Sequence, residues 1–177
     1  RKSWKFFCST EFIKQRIIDK NINNLDPGKL IVSYYPKIDG FFLNCTDENF
    51  WKKTTDLDGN TKKRIIWAPH WTISQSILNY STFKYNHEFF YEYAKANPNI
   101  EWIFRPHPLL KGEIIKSGLM SVNEVNNYYQ KWDKLPNARY YSGPDYASMF
   151  KFSDAMITDS GGFIGEFLMC NKPGLKL

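Results

Sequence analysis

The sequence predicts an α/β fold built on a parallel sheet, and three observations carry that prediction. Short apolar runs rich in β-branched residues alternate along the chain with amphipathic stretches of helical period. Runs such as Ala155-Met156-Ile157-Thr158 have no polar alternation, as expected of strands covered on both faces. The 177 residues, 42% hydrophobic and 18% aromatic, are enough to bury one substantial core, and they exclude a disordered composition.

Taken in order, a helix is expected over residues 10–20. A strand is expected over 30–34. Residues 54–63 are polar with Asp58-Gly59 turn chemistry and read as a surface loop, followed by a strand over 65–68. Helical periodicity then marks 87–96, 122–131, 146–152 and 162–170, and apolar runs mark strands at 102–105, 138–141, 155–158 and 174–177. In such sheets ligands bind beyond the carboxyl ends of the strands, which directs attention to the loops after residues 68, 105 and 158.

Lys and Arg outnumber Asp and Glu by 24 to 18, giving a net charge of +6 in scattered clusters such as Lys52-Lys53 and Lys62-Lys63-Arg64. Such clusters are either a solvated surface or a match for phosphorylated ligands and anionic membrane surfaces. No RNA-recognition motif or zinc-knuckle spacing is present, so no nucleic-acid partner is expected. Cys8, Cys45 and Cys170 are odd in number and lack a CxxC, which argues against a disulfide framework or zinc site and for a reducing compartment. The sequons Asn44-Cys45-Thr46 and Asn79-Tyr80-Ser81 are short patterns in an Asn-rich chain and carry no weight. No apolar stretch approaches the roughly 20 residues that span a bilayer.

Three loops carry candidate chemistry. Asp159-Ser160-Gly161-Gly162 follows an apolar strand and opens a helix, so free amides and the positive dipole end can cradle phosphate. Thr158 and Ser160 can add hydroxyl donors, and Glu166, one turn into the helix, can accept two ribose hydroxyls. The bland alternative is that Ser160 caps the helix and Glu166 is a surface carboxylate. Neither GxGxxG nor a Walker A lysine occurs, which disfavours an ordinary dinucleotide or ATP site. In Arg105-Pro106-His107-Pro108 two prolines stiffen the loop, so Arg105 and His107 can bind a diphosphate, with His107 able to act as a general acid. A histidine bonded locally beside a proline turn is the alternative there. His70, in Trp67-Ala68-Pro69-His70-Trp71, occupies the equivalent loop of an earlier strand and either faces the same crevice or packs between tryptophans. His87 reads as surface. The spacing of the three histidines does not suit a zinc hydrolase, and Asp-Ser-Gly-Gly is not a nucleophile elbow.

The order Trp67-Ala68-Pro69-His70, Arg105-Pro106-His107-Pro108, Ser153-Asp154, Thr158-Asp159-Ser160-Gly161-Gly162, Glu166-Phe167 and Lys172-Pro173 resembles the CDP-glycerol glycerophosphotransferase family of teichoic-acid and capsule polymerases. The segment from Pro27-Gly28-Lys29 to Asp39 resembles the family's strand and loop near its domain junction, so the likeness covers residues 28–177. It implies a Rossmann-like parallel sheet flanked by helices, the C-terminal half of a GT-B fold. Residues 1–27 would be a helical lead-in from a missing N-terminal domain, and residues 28–177 a donor-binding domain truncated at its C-terminus.

The resemblance also implies roles. Arg105 and His107 would be catalytic and contact donor phosphates, while His70, Thr158, Asp159, Ser160, Gly161, Gly162 and Glu166 would bind the donor. No metal ion or other cofactor is expected. The partners would be CDP-glycerol or another nucleotide-linked donor and a polyol-phosphate or glycan acceptor, in the cytoplasm and peripherally at the inner face of the membrane. The family's acceptor-side base lies in a His-Gly motif, which this chain lacks, so turnover by these residues alone is not expected. The departure from the family's Tyr-Ser-Ser at Ser160-Gly161-Gly162 is equally similar to UDP-N-acetylglucosamine 2-epimerases. A sugar-nucleotide enzyme of GT-B fold and a non-catalytic nucleotide-binding domain therefore stand as alternatives.

Overall fold

The computed structural model describes residues 4–42, 50–51, 55, 59–73, 79–144 and 146–177. Cys45, the sequon at Asn44, Lys52-Lys53 and residues 54 and 56–58 of the expected surface loop lie outside the described residues. Two compact units divide the chain, Arg1–Asn44 and Cys45–Leu177.

In the first unit β1 (Phe6–Cys8) runs parallel to β2 (Leu30–Val32), with Phe6 opposite Leu30 and Cys8 opposite Val32. Between them lies α1 (Glu11–Asp19), started by Thr10, whose hydroxyl accepts from the Ile13 amide at 3.1 Å. The short α2 (Asp39–Phe42) follows. The β1–β2 ladder joins residues from both sides of position 27.

The second unit holds β3 (Lys63–Ala68), α3 (Phe83–Ala96), β4 (Ile100–Phe104), α4 (Leu110–Lys116) and α5 (Val122–Lys134). It continues through β5 (Ala138–Tyr140), α6 (Ala147–Lys151), β6 (Ala155–Thr158), α7 (Gly161–Leu168) and β7 (Gly174–Lys176). All five strands are parallel, in the order β5-β4-β3-β6-β7. The expected α/β class with a parallel sheet is what the chain adopts. From β3 the chain steps outward through β4 to β5, then returns to the other flank of β3 for β6 and β7. Connections leaving β3 and β6 therefore diverge, and a crevice opens at their carboxyl ends.

The sheet is fixed in place by an aromatic core. Trp67 of β3 stacks on Phe83 at 5.8 Å and on Phe104 at 5.0 Å, and Phe104 stacks on Trp132 at 5.1 Å. Trp67, Trp102 and Trp132 are all fully buried, and truncating any such ring to Ala typically costs about 3–5 kcal/mol. Helix α5 reaches this core with Val125, Tyr128, Tyr129 and Trp132, and a capping box between Ser121 and Glu124 sets its start.

Candidate functional site

Three loops meet at the carboxyl ends of β3, β4 and β6. After β4 the chain is bonded to the loop after β3, with the His107 amide donating to Pro69 O at 3.0 Å. That contact brings the rings of His70 and His107 to a centroid separation of 5.6 Å. The loop after β6 is joined to both by Asp159, which is 2% exposed. Its carboxylate accepts from the His70 amide, from the Thr82 amide at 2.7 Å and from the Thr82 hydroxyl at 3.2 Å. Asp159 thus stitches the start of α3 and the β3 loop to the β6 loop, and its oxygens are engaged by the chain's own donors.

Thr158 is fully buried; its hydroxyl donates to Ala68 O at 2.5 Å and accepts from the Ser160 amide at 3.0 Å. Its one hydrogen is bound within the chain, which differs from the phosphate donor expected of it from the sequence. Ser160 caps α7, accepting from the Phe163 amide at 3.5 Å, as an N-terminal Ser should. Gly161 and Gly162 are exposed, and their amides have no hydrogen-bond partner among the described residues. Nothing stands within 4 Å of where a Cβ would lie on either, so the first turn of α7 presents two open N–H groups at the positive end of its dipole.

Backbone amides approach the Nδ1 atom of both histidines, which favours the tautomer with hydrogen on Nε2. Thr72 N donates to His70 Nδ1 at 3.4 Å, and the Thr72 hydroxyl, which itself accepts from Tyr80 N at 3.1 Å, lies 2.9 Å from the same nitrogen. Leu109 N donates to His107 Nδ1 at 3.2 Å. That tautomer makes Nε2 of each neutral ring a donor. Burial lowers the pKa of His70, partly opposed by the Asp159 charge. Burial lowers that of His107 too, and the neighbouring His70 and Arg105 push in the same direction. Both shifts favour the neutral ring at neutral pH.

Arg105 is 6% exposed, and its guanidinium lies over the rings of Tyr146 at 5.1 Å, Phe163 at 5.4 Å and Tyr141 at 5.5 Å. Its Nε is buried without a hydrogen-bond partner, and no carboxylate pairs with it among the described residues. Burial draws its pKa below the ordinary guanidinium value, and the surrounding tyrosines offset this. Glu166 accepts from the Tyr146 hydroxyl at 2.6 Å. The structure thus brings His70, His107, Thr158, Asp159, Ser160, Gly161 and Gly162 to one end of the sheet, and Tyr146 links Arg105 to Glu166. Tyr146, Tyr141, Phe163 and Thr82 were not foreseen; the aromatic spacing after β5 was the available signal for the first two. Among the described residues no cluster of three or more His, Cys, Asp or Glu is placed to hold a metal ion. An open groove of about 440 Å³ lies elsewhere, lined by Glu88, Glu124, Tyr128 and Lys131 among others, and contains none of these residues.

A switch-point crevice with open helix amides, a buried guanidinium and donor histidines defines a Rossmann-like α/β domain suited to a phosphate-bearing ligand. The family model described as CDP-Glycerol:Poly(glycerophosphate) glycerophosphotransferase matches residues 1–176, and the chain belongs to that family. The match extends N-terminally beyond residues 28–177, over which the motifs resemble the family. Solved structures share the fold. The UDP-GlcNAc 2-epimerase of Methanocaldococcus jannaschii, in complex with UDP-GlcNAc and UDP, superposes with a TM-score of 0.55 at 17% identity, over 99% of this chain and 45% of that one. The wall teichoic acid polymerase TagF gives 0.55 at 18% identity, over 97% of this chain and 38% of that one. The UDP-GlcNAc 2-epimerase of Neisseria meningitidis, bound to UDP-GlcNAc, gives 0.53 at 17%, over 99% and 44%. The chain spans less than half the length of each. Comparison with curated proteins finds no match. No helix among the described residues is long and apolar enough to cross a membrane.

Proposed function

We propose that this chain forms the donor side of an enzyme that transfers glycerol phosphate, or a related polyol phosphate, from a CDP-linked donor to a cell-surface polymer such as teichoic acid or capsule. What supports this reading is the placement of four kinds of group on the loops after β3, β4 and β6 and on α7. They are the Gly161 and Gly162 amides, the ring nitrogens of His70 and His107, the Arg105 guanidinium, which has no carboxylate partner among the described residues, and Glu166. Membership of the glycerophosphotransferase family supports the choice of transferred group.

In this reading the acceptor hydroxyl attacks the β-phosphorus of CDP-glycerol in line. A bond forms between that oxygen and phosphorus, the bond from phosphorus to the bridging oxygen breaks, and CMP leaves with the bridging oxygen. The proton of the attacking hydroxyl goes to a base outside these residues. Arg105 and the α7 amides stabilise charge growing on CMP, which is electrostatic catalysis by groups already in place. The bound diphosphate draws a proton onto His107, which can then pass it to the departing phosphate. Glu166 takes the ribose hydroxyls, and Thr158 and Asp159 hold the loops that carry the donors. No metal or other cofactor is part of this scheme, and residues 28–177 act as the donor-binding portion. The basic surface, with its net charge of +6, suits work in the cytoplasm at the inner face of an anionic membrane.

A second reading, a GT-B enzyme acting on a sugar nucleotide, is favoured by Ser160-Gly161-Gly162 and by fold likeness to epimerases solved with UDP-GlcNAc. A third, nucleotide binding without turnover, needs no acceptor. Incubating the intact protein with labelled CDP-glycerol or UDP-N-acetylglucosamine and a glycerophosphate-primed acceptor separates them. CMP release with polymer growth supports the proposal, UDP-sugar consumption supports the second reading, and binding without turnover supports the third.

A further inference from the structure

We propose that Tyr146 is a positioning residue that joins the phosphate and ribose ends of the site, its ring holding Arg105 and its hydroxyl holding Glu166. The inference rests on the nucleotide-donor reading above and assigns a task to a residue outside the predicted set. Arg105 sits in an aromatic cage, with its guanidinium carbon 5.1–5.5 Å from the centres of three rings. Ring faces attract a cation through their quadrupole and carry no opposite charge. A carboxylate in their place would fix the guanidinium and also cancel its field. The cage fixes Arg105 with no carboxylate beside it among the described residues, so its charge serves an anionic ligand.

Two of the three rings tie the cage to the rest of the site. Phe163 belongs to the first turn of α7, so Arg105 is held relative to the Gly161 and Gly162 amides. Tyr146 is itself clamped by Phe150 at 5.0 Å and Phe163 at 5.2 Å, and from that fixed ring its hydroxyl donates to Glu166 Oε2 at 2.6 Å. A bond that short to a carboxylate is charge-assisted and sets the orientation of the acid. The third ring, Tyr141, folds back over Gly143, where a Cβ would meet the Tyr141 hydroxyl and ring edge, so a side chain at that position would displace this ring.

The test uses Tyr146→Phe, which keeps the ring and removes only the hydroxyl, and Tyr146→Leu, which removes the ring. Binding of CDP, UDP, their 2′,3′-dideoxy forms and inorganic pyrophosphate to the intact protein is measured by calorimetry, with near-ultraviolet dichroism to confirm folding. The proposal expects Tyr146→Phe to weaken ribonucleotide binding about tenfold and to erase the preference for ribose over dideoxyribose, with pyrophosphate affinity unchanged. It expects Tyr146→Leu to weaken pyrophosphate as well; should that variant not fold, the Phe variant decides alone. An unchanged ribose preference in Tyr146→Phe, or an equal loss for pyrophosphate and nucleotide, overturns the proposal while leaving the nucleotide reading intact. A folded wild-type protein that binds none of these ligands overturns both.

Discussion

Asp159 shows how much of this site depends on single side chains that touch no ligand. It is buried, and three donors from two other segments converge on it. Asp159→Ala would leave two partly buried backbone amides without an acceptor. We expect it to lower stability by roughly 3 kcal/mol or more in urea titration and to weaken ligand binding through displacement of His70. The histidines add a pH dependence. Their pKa values are lowered in the folded chain, so below the ordinary value near 6.5 the unfolded chain takes up protons that the folded chain resists. Stability is therefore full above about pH 6.5 and declines as pH falls toward the lowered folded values. Denaturant midpoints measured from pH 7.5 to 5 check this, and the decline should flatten in the double variant His70→Gln, His107→Gln. At this scale the sequence disclosed the residues better than their tasks. Ser160 was readable as a cap because the helix follows it directly. The Asp159 clasp was not, because its partner Thr82 lies 77 residues away. Thr158 likewise bonds Ala68 across the β3–β6 pairing, a contact that only the sheet order creates.

At the scale of elements, the long apolar runs were legible and the short pieces were not. Strand β6 spans Ala155–Thr158, as its unbroken apolar run indicated. Helix α4 was missed because Pro106, Pro108 and Gly112 obscure its period, although Leu110 and Ile114, one turn apart, are fully buried. Strand β1 has three residues, too few to show a period, and forms by pairing with β2. Lys172-Pro173 was part of the family resemblance, and the structure gives the lysine a local task. Its ammonium donates to Phe150 O at 3.2 Å, to Ser153 O at 2.6 Å and to Lys151 O, closing the end of α6 just before β7. Lys172→Met should cost about 1–3 kcal/mol, read as a lower thermal midpoint. Because α6 carries Tyr146 at its N-cap, the same change should loosen the cage around Arg105.

Across the whole molecule, the strand order decides where function can reside. The return from β5 to the far flank of β3 places the loops after β3 and β6 side by side, with the β4 loop on the other flank. Residues separated by as many as 90 positions thereby share one crevice. The parallel sheet was legible from alternation alone, but the switch point was not, because alternation does not say on which side of β3 each later strand adds. The central claim is that this crevice holds a CDP-linked donor. Calorimetric titration of the intact protein with CDP-glycerol, CDP, UDP-N-acetylglucosamine and UDP, repeated on His107→Ala, tests it most directly. The account predicts that the cytidine ligands bind about tenfold or more tightly than the uridine ligands, and that His107→Ala weakens them by a similar factor. Preference for the uridine ligands, or no binding by well-folded protein, would contradict it.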